Sequence, residues 1–268
     1  MLEQLDLTRQ LSKDEYRAVM QPLKFEMYEM GRAVHDTKTP VIVVFEGWGT
    51  AGKGRAITEL TARLDPRGFR VYPINPPSPR EIRYPWLHRF WSKIPARGEI
   101  AIFHGSWYRR VLIDRVAKNI SKQEWREAYR DIQDFERTLA DDGIVIQKFW
   151  LHVDKREQKR RIKKLLESKT TAWRVSADAK IESKEYDAYT FAAEEMFGFT
   201  QTEFAPWTLV SAMDRRLMYA QIFETLIARL KPFVGAHMIE MEPSSEYDAR
   251  VIESEIEDAG EYRSHADA

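Results

Sequence analysis

Four short apolar runs recur along the first part of the chain, separated by segments of mixed apolar and charged character. They are PVIVVFEGWG, RGFRVYPIN, GEIAIFHGS and DGIVIQKFWLHV. Because each run is continuous and is bounded by turn-forming or charged residues, each predicts a strand buried on both faces. Alternation of such strands with helical segments predicts an α/β fold, a parallel sheet flanked by helices. A later TLV, at residues 208–210, predicts one more short strand.

Helical patterns lie between and after these runs. Ser12 and Glu15 have the spacing of a capping box, and Pro22 should interrupt or kink the helix that follows. Further helices are predicted at residues 53–64, in PREIRYPWLHRFWSKI and in SKQEWREAYRDIQDFERTLADD. After His152 the chain becomes strongly basic without strand signals. This pattern predicts a helical segment outside the sheet, which could act as a lid, at roughly residues 154–190. Two amphipathic helices should complete the fold.

The length of 268 residues is near the upper end for one hydrophobic core. We therefore predict a single domain at residues 1–240. The remaining residues, 241–268, are polar and acidic with few large apolar side chains, so a mobile tail is expected there.

Composition narrows the function classes. Lys+Arg and Asp+Glu both number 42, so net charge suggests neither nucleic acid nor an anionic membrane as a partner. The absence of cysteine excludes disulfides, thiolate metal sites and cysteine nucleophiles. Apolar runs fall short of the roughly 20 residues that span a bilayer, and the amino-terminal segment lacks a secretion-signal pattern. A cytoplasmic location is expected.

The first predicted strand leads into a glycine-rich loop of the phosphate-binding type. Gly47, Gly52 and Lys53 satisfy the pattern GxxxxGK between a strand and a helix. Glycines there let backbone amides point inward, the helix presents its positive end, and the lysine reaches the outer phosphates. The alternative is a strand-turn-helix junction without a ligand. The predicted phosphate-binding positions are Gly47, Trp48, Gly49, Thr50, Ala51, Gly52, Lys53 and Gly54.

The metal chemistry of this loop stays open. Gly54 stands where the usual loop has a hydroxyl for magnesium, and the third strand ends in His104 and Gly105 instead of an acid. A lone imidazole is a poor ligand for magnesium. Glu46 or Asp114 could supply a carboxylate, although each could equally serve a structural role.

Several blocks together resemble the polyphosphate kinase 2 family over about residues 20–230. The blocks are FEGWGTAGKG, LDPRGFRVYPI, HRFWSKIPARGEIAIF, GSWYRRVLIDRV, KFWLHVDKREQKRRI, TAWRVSAD and FAPWTLV. The resemblance implies a P-loop kinase fold akin to thymidylate kinases, with a helical lid. It also implies phosphoryl transfer between inorganic polyphosphate and a nucleotide, with magnesium as cofactor, in a homo-oligomer.

The resemblance can be carried over position by position. It implies catalytic roles for Lys53 and Arg110 and a phosphate contact for Arg67. The family usually has an aspartate at the position of Gly49, and an Asp-Arg pair where this chain has His104 and the glycine that follows. The residues of several blocks most resemble the amino-terminal half of the two-domain polyphosphate:AMP phosphotransferases.

Two groups of residues outside the loop could also meet substrate. On the basic segment, Arg160 and Lys163 are predicted to follow a chain of phosphates, the alternative being a solvated helix face. In the Pro-rich segment, nucleoside or phosphate contacts are expected from Arg80, Arg83, His88 and Arg89, and core positions for Tyr84, Trp86, Phe90 and Trp91. Two hypotheses follow: a polyphosphate-dependent phosphotransferase, its activity impaired or not, and a catalytically silent protein that binds polyphosphate or nucleotide.

Overall fold

Five parallel strands form one sheet in the computed structural model, which describes residues 1–240. The strands are β1 (Val41–Gly47), β2 (Phe69–Pro73), β3 (Ile100–His104), β4 (Val145–His152) and β5 (Trp207–Ser211). Their spatial order is β2-β3-β1-β4-β5. Every residue of β1 and β4 is buried, which explains why these two strands show continuous apolar runs. The predicted α/β fold is confirmed.

Nine α-helices surround the sheet within the described residues. They are α1 (Lys13–Asp36), α2 (Lys53–Thr61), α3 (His88–Trp91), α4 (Ile113–Val116), α5 (Lys122–Asp141), α6 (Lys155–Leu166), α7 (Ala177–Lys184), α8 (Tyr186–Thr200) and α9 (Arg215–Glu240). Over residues 1–240, no helix combines the length and the apolar character that crossing a bilayer requires. The long helices α1 and α9 pack against each other.

Two local predictions about helices need correction. The capping box at Ser12 and Glu15 is present, but α1 is not interrupted at Pro22, because its buried face packs on both sides of the proline; a kink there stays a prediction. The Pro-rich segment is not one helix. It contains a 3₁₀ turn at Glu81–Arg83 and the single-turn α3, separated by Pro85, which disfavours helical geometry at the residue before it.

The basic segment after β4 contains α6 and α7, so its helical character agrees with the prediction. Its role as a lid, and the domain boundary at residue 240, stay predictions. The expected tail at residues 241–268 lies outside the described residues.

A buried ion pair holds the segment that follows β3. Lys148 donates to Glu136 at 2.7 Å, and both side chains are almost fully buried. Glu136 also accepts from Trp107 Nε1 at 3.0 Å and from the hydroxyl of Tyr108 at 2.7 Å. The pair therefore fixes the 3₁₀ turn Trp107–Arg110, which carries two arginines toward the carboxyl edge of the sheet.

Replacing Lys148 with Met should lower the free energy of unfolding by about 3–5 kcal/mol, because Glu136 would keep a buried charge without its partner. The double variant Lys148→Met, Glu136→Gln should be more stable than this single variant. The neutral amide oxygen that this change introduces at position 136 can still accept hydrogen bonds from Trp107 and Tyr108. Urea denaturation measures the free energy of unfolding of both variants. A loss below about 1 kcal/mol in Lys148→Met would contradict a stabilising role for the buried Lys148–Glu136 ion pair.

Candidate functional site: a phosphate-binding loop beside an arginine-lined cleft

The loop begins at the carboxyl end of β1, in the middle of the sheet. Gly47 has φ of 118°, and a Cβ built on it would lie 2.2 Å from the carbonyl oxygen of Leu151 in β4. No other residue fits that position, because any side chain would collide with backbone. The close contact therefore turns the chain out of the sheet and into the loop that ends at the start of α2.

Lys53, the first residue of α2, folds back over the loop. Its ammonium donates to the carbonyl oxygens of Gly47 at 2.5 Å and Trp48 at 3.0 Å. The side chain of Trp48 is fully buried and stacks on Tyr186, with ring centroids 4.1 Å apart. Any contact of Trp48 with phosphate is therefore a backbone contact, and its indole ring anchors the loop to α8.

Arg161 of α6 braces the other side of the loop. Its guanidinium donates to the carbonyl of Thr50 at 3.2 Å and to that of Ala212, just after β5, at 2.7 Å. It also binds Glu157 one helical turn earlier. Sequence reasoning did not select Arg161, because it is one of several basic residues in α6 and only the fold shows which of them faces the loop.

Three predicted phosphate contacts are not brought to the loop. Arg160 is exposed and binds Glu157 at 2.6 Å, and Lys163 is exposed on the same helix. Arg67 pairs with Asp65 at 2.7 Å and its side chain is 91% exposed. Contrary to expectation, Arg67 lies near the opposite edge of the sheet, since it precedes β2 in an all-parallel arrangement.

Two consecutive arginines follow β3. Arg109 forms ion pairs with Asp178 of α7 and, at 3.2 Å, with Asp114 of α4. Arg110 pairs with Glu124 at 3.1 Å. The resemblance selected Arg110, and the structure adds Arg109 as the arginine that interacts electrostatically with Glu46 at the start of the loop.

A cleft of about 350 Å³ opens beside the loop. Ser106 lines it and donates to Glu46 at 2.7 Å, which links the cleft to the end of β1. Other side chains in its wall include Tyr84, Trp86, Arg89, Arg109, Arg110, Asp114, Glu81 and Glu124. The cleft thus combines aromatic rings with three guanidinium groups, which its own carboxylates pair, and an anionic ligand carrying a ring system could bind there by replacing those carboxylates.

The expected core role of the four aromatic residues holds for Phe90, which is buried, and in part for Trp86, which is partly buried and packs against the core. Tyr84 and Trp91 are each 47% exposed. The ring of Tyr84 stacks on His88 with centroids 4.5 Å apart. Tyr84 lies just before Pro85, outside α3, and lines the cleft.

Carboxylates near the loop are already engaged. Burial raises the pKa of Glu46, with Lys53 and its Ser106 hydrogen bond acting in the opposite direction. Glu182 of α7 accepts from the backbone amide of Gly49 at 2.7 Å, and burial raises its pKa as well. Asp114, the second candidate carboxylate, is held by Arg109.

These residues do not fit a magnesium site of their own. Magnesium takes oxygen ligands in near-octahedral geometry, from carboxylates, waters and substrate phosphates. Among the residues that the structure describes, no three metal-ligating side chains cluster, and Glu46, Glu182 and Asp114 each accept from an N–H or O–H donor or lie beside a cation. Residues 1–240 therefore provide no preformed magnesium cage.

His104 and Gly105 occupy the end of β3. Burial lowers the pKa of His104 to about 4, and nearby Lys53 acts in the same direction, so the imidazole is neutral near pH 7. Gly105 has φ of 74°, which favours glycine in this turn. Neither residue offers the charge of the Asp-Arg pair that the resemblance leads one to expect here.

A parallel α/β sheet with a glycine-lysine loop after its central strand and an arginine-lined cleft beside it defines a P-loop kinase-like protein. The profile of the family polyphosphate kinase 2 (PPK2) matches residues 10–233. The chain belongs to this family.

Individual relatives agree with that assignment. The chain is 37% identical over 229 residues to a polyphosphate:AMP phosphotransferase of Pseudomonas syringae, with 84% of this chain and 45% of the relative covered. A crystal structure from Pseudomonas aeruginosa, described as a polyphosphate kinase 2, matches with a TM-score of 0.82 and 35% identity, over 86% of this chain and 50% of that one. Polyphosphate kinase 2 of Arthrobacter aurescens matches with a TM-score of 0.81 and 25% identity, over 94% and 93%. The chain spans less than half the length of three curated polyphosphate:AMP phosphotransferases that it matches.

Gly47→Ala should lower the free energy of unfolding by at least about 2 kcal/mol, because a methyl group at positive φ would meet the backbone of Leu151. Gly54→Ala is the matched control. A Cβ there would lie 3.9 Å from His104, an ordinary contact, so its stability should stay within about 1 kcal/mol of the parent. Thermal and urea unfolding measure the stability of both variants. Equal stability of Gly47→Ala and Gly54→Ala would contradict the steric conflict described at position 47.

The titration of His104 provides a second test. Since its pKa falls from 6.5 to about 4 on folding, the unfolded chain binds the proton more readily. The stability that neutral His104 contributes should be complete above pH 6.5 and decline as the pH falls toward 4. His152, whose pKa is lowered to about 4 by burial, should act in the same direction. NMR titration of the His104 Cε1–H signal measures the pKa directly, and a midpoint near 6.5 would contradict this environment.

Proposed function

We propose that this protein transfers a phosphoryl group between inorganic polyphosphate and a nucleotide. The observation that carries the proposal is the adjacency of two anion-binding features at the carboxyl edge of the sheet. One is the loop with Lys53, and the other is the cleft with Arg89, Arg109 and Arg110. Ser106 and Glu46 connect them through one hydrogen bond.

The chemistry proposed for this site is charge neutralisation and positioning. Phosphoryl transfer needs the donor and acceptor oxygens held in line and the equatorial oxygens stabilised by positive groups. Loop amides and the ammonium of Lys53 would hold one phosphate chain, while the guanidinium groups of Arg109 and Arg110 would hold the other. No covalent intermediate with the protein is required.

The cleft also offers a place for the nucleoside. The exposed ring of Tyr84, stacked on His88, and the neighbouring Trp86 present aromatic faces beside Arg110. Aromatic faces stack on nucleobases of any identity, so they do not select a base. The Pseudomonas syringae relative is named for AMP, which makes AMP the first acceptor to test, followed by ADP, GMP and GDP. The family resemblance also implies self-association, which sedimentation velocity would measure.

A second candidate is a protein that binds polyphosphate or nucleotide without turnover. Two observations favour it. Position 49 carries no carboxylate, and the carboxylates that lie near the loop are occupied by donors of the chain itself. Such a protein would retain the loop and the cleft while lacking the acidic groups that the family resemblance leads one to expect at positions 49 and 104.

Lys53→Ala should reduce phosphoryl transfer by at least about a hundredfold, because the loop would lose the cation nearest its phosphate site. The assay incubates protein with polyphosphate and one nucleotide, with magnesium or with EDTA, and quantifies new phosphoanhydride product by ³¹P NMR. Turnover that Lys53→Ala abolishes would exclude the silent alternative. Binding of polyphosphate without product under every condition would contradict catalysis and favour the second candidate.

Two arginine variants serve as a matched pair in the same assay. Arg110→Ala removes a cation from the cleft and should lower kcat/KM for the nucleotide by about tenfold or more. Arg67→Ala removes an exposed cation near the opposite edge of the sheet and should leave kcat/KM within about twofold of the parent. A larger loss in Arg67→Ala than in Arg110→Ala would overturn this placement of the substrate.

A further inference from the structure

One carboxylate of the chain occupies a donor of the phosphate-binding loop. Oε2 of Glu182, on α7, accepts a hydrogen bond from the backbone N–H of Gly49 at 2.7 Å. The residue is only 6% exposed. Inward-directed loop amides are the groups that bind phosphate oxygens in such loops. The structure therefore shows a carboxyl oxygen of the protein bound to an amide of the loop in which a phosphate ligand would be held.

The missing side chain at position 49 makes this approach possible. A Cβ built on Gly49 would lie 2.5 Å from Cβ of Ala179 and 3.2 Å from Oε2 of Glu182. No side chain at position 49 could coexist with α7 in its present place. The hydrogen bond between Glu182 and the Gly49 amide therefore requires glycine at position 49, although the two residues are 133 residues apart in the chain.

A second carboxylate of α7 engages a cleft arginine. Asp178 lies four residues before Glu182, hence on the same face of the helix, and forms an ion pair with Arg109. The helix therefore holds both a loop amide and a guanidinium through its own acidic groups. An incoming chain of phosphates would compete for both.

The electrostatic surroundings of Glu182 are mixed. Lys53 attracts its carboxylate, whereas Glu46 and Asp178 repel it. Burial in this position disfavours the charged form and raises the pKa of Glu182. A buried carboxylate with two like charges nearby is held less tightly than the short hydrogen bond alone suggests.

We propose that Glu182 is an internal competitor for the anion site and that it sets the affinity of the loop for condensed phosphates. Binding of a condensed phosphate displaces the carboxylate from the Gly49 amide. This inference rests on the proposed function, since it assumes that the loop binds condensed phosphate. It adds the residue that limits how tightly such an anion is held.

The test compares Glu182→Gln with Glu185→Gln. Both variants remove one negative charge by the same chemical change, but the side chain of Glu185 is 46% exposed at the end of α7 and pairs with Lys184. Calorimetric titration with inorganic tripolyphosphate, at low ionic strength with EDTA, measures the dissociation constant. Glu182→Gln should bind about tenfold more tightly than the parent, because the repelling charge beside Lys53 is gone, and Glu185→Gln should stay within about twofold.

Equal or weaker binding by Glu182→Gln would overturn the inference, since the carboxylate would then be neutral toward the ligand or required for it. Glu182→Asp provides a second variant that keeps the charge but shortens the reach to the Gly49 amide. It should bind more tightly than the parent, and unchanged or weaker binding would contradict displacement. Circular dichroism checks that each variant is folded.

Failure of the inference can be told apart from failure of the proposed function. If the parent binds tripolyphosphate and transfers phosphoryl groups while Glu182→Gln binds no better, only the role of Glu182 is wrong. If neither the parent nor Glu182→Gln binds tripolyphosphate, the loop is not a condensed-phosphate site and both are overturned.

Discussion

The contact between Gly47 and the backbone of Leu151 determines where the loop can lie. Gly47 pairs with Leu151 in the register of β1 and β4, and its positive φ turns the chain away at the point of closest approach. Because β1 is central, with β3 on one side and β4 on the other, the loop leaves the sheet where the ends of both neighbours are accessible. Lys53, the turn after β3 and helix α6 can reach it for that reason.

Donors at this edge of the sheet already have acceptors within the chain. Lys53 binds loop carbonyls, Arg109 binds two aspartates, and the Gly49 amide binds Glu182. A polyanion could therefore bind only by replacing contacts that the protein already makes. Its affinity would depend on the difference between two sets of interactions and not on the number of basic residues.

Much of the fold could be predicted because β1, β3 and β4 are short, mostly apolar strands that are buried along almost their whole length. The strand β2 is present where predicted, but it is partly exposed and not buried on both faces, because it lies at the edge of the sheet. The capping box at Ser12 also follows a local rule, and α5 is present where its pattern predicts it. The Pro-rich segment was predicted less well, because its proline at position 85 and its exposed aromatic side chains conflict with a helical pattern that only part of it follows.

The site was predicted in part. The loop and Lys53 follow from a local pattern. Arg161 and Glu182 carry no such signal, since each is one charged residue among several in its helix and acquires its contact through the fold. For Arg67, the family resemblance implies a phosphate contact that the structure does not bring to the loop. Arg67 precedes β2, so in a parallel sheet it lies near the edge opposite the loop, and this placement could have been predicted from the strand order.

If amides of the loop bind condensed phosphate, titration of the ¹⁵N-labelled protein with tripolyphosphate should produce saturable shifts of the Gly49 and Gly52 amide signals in backbone NMR spectra. Shifts confined to the exposed basic face of α6, around Arg160 and Lys163, with the loop amides unchanged, would contradict it.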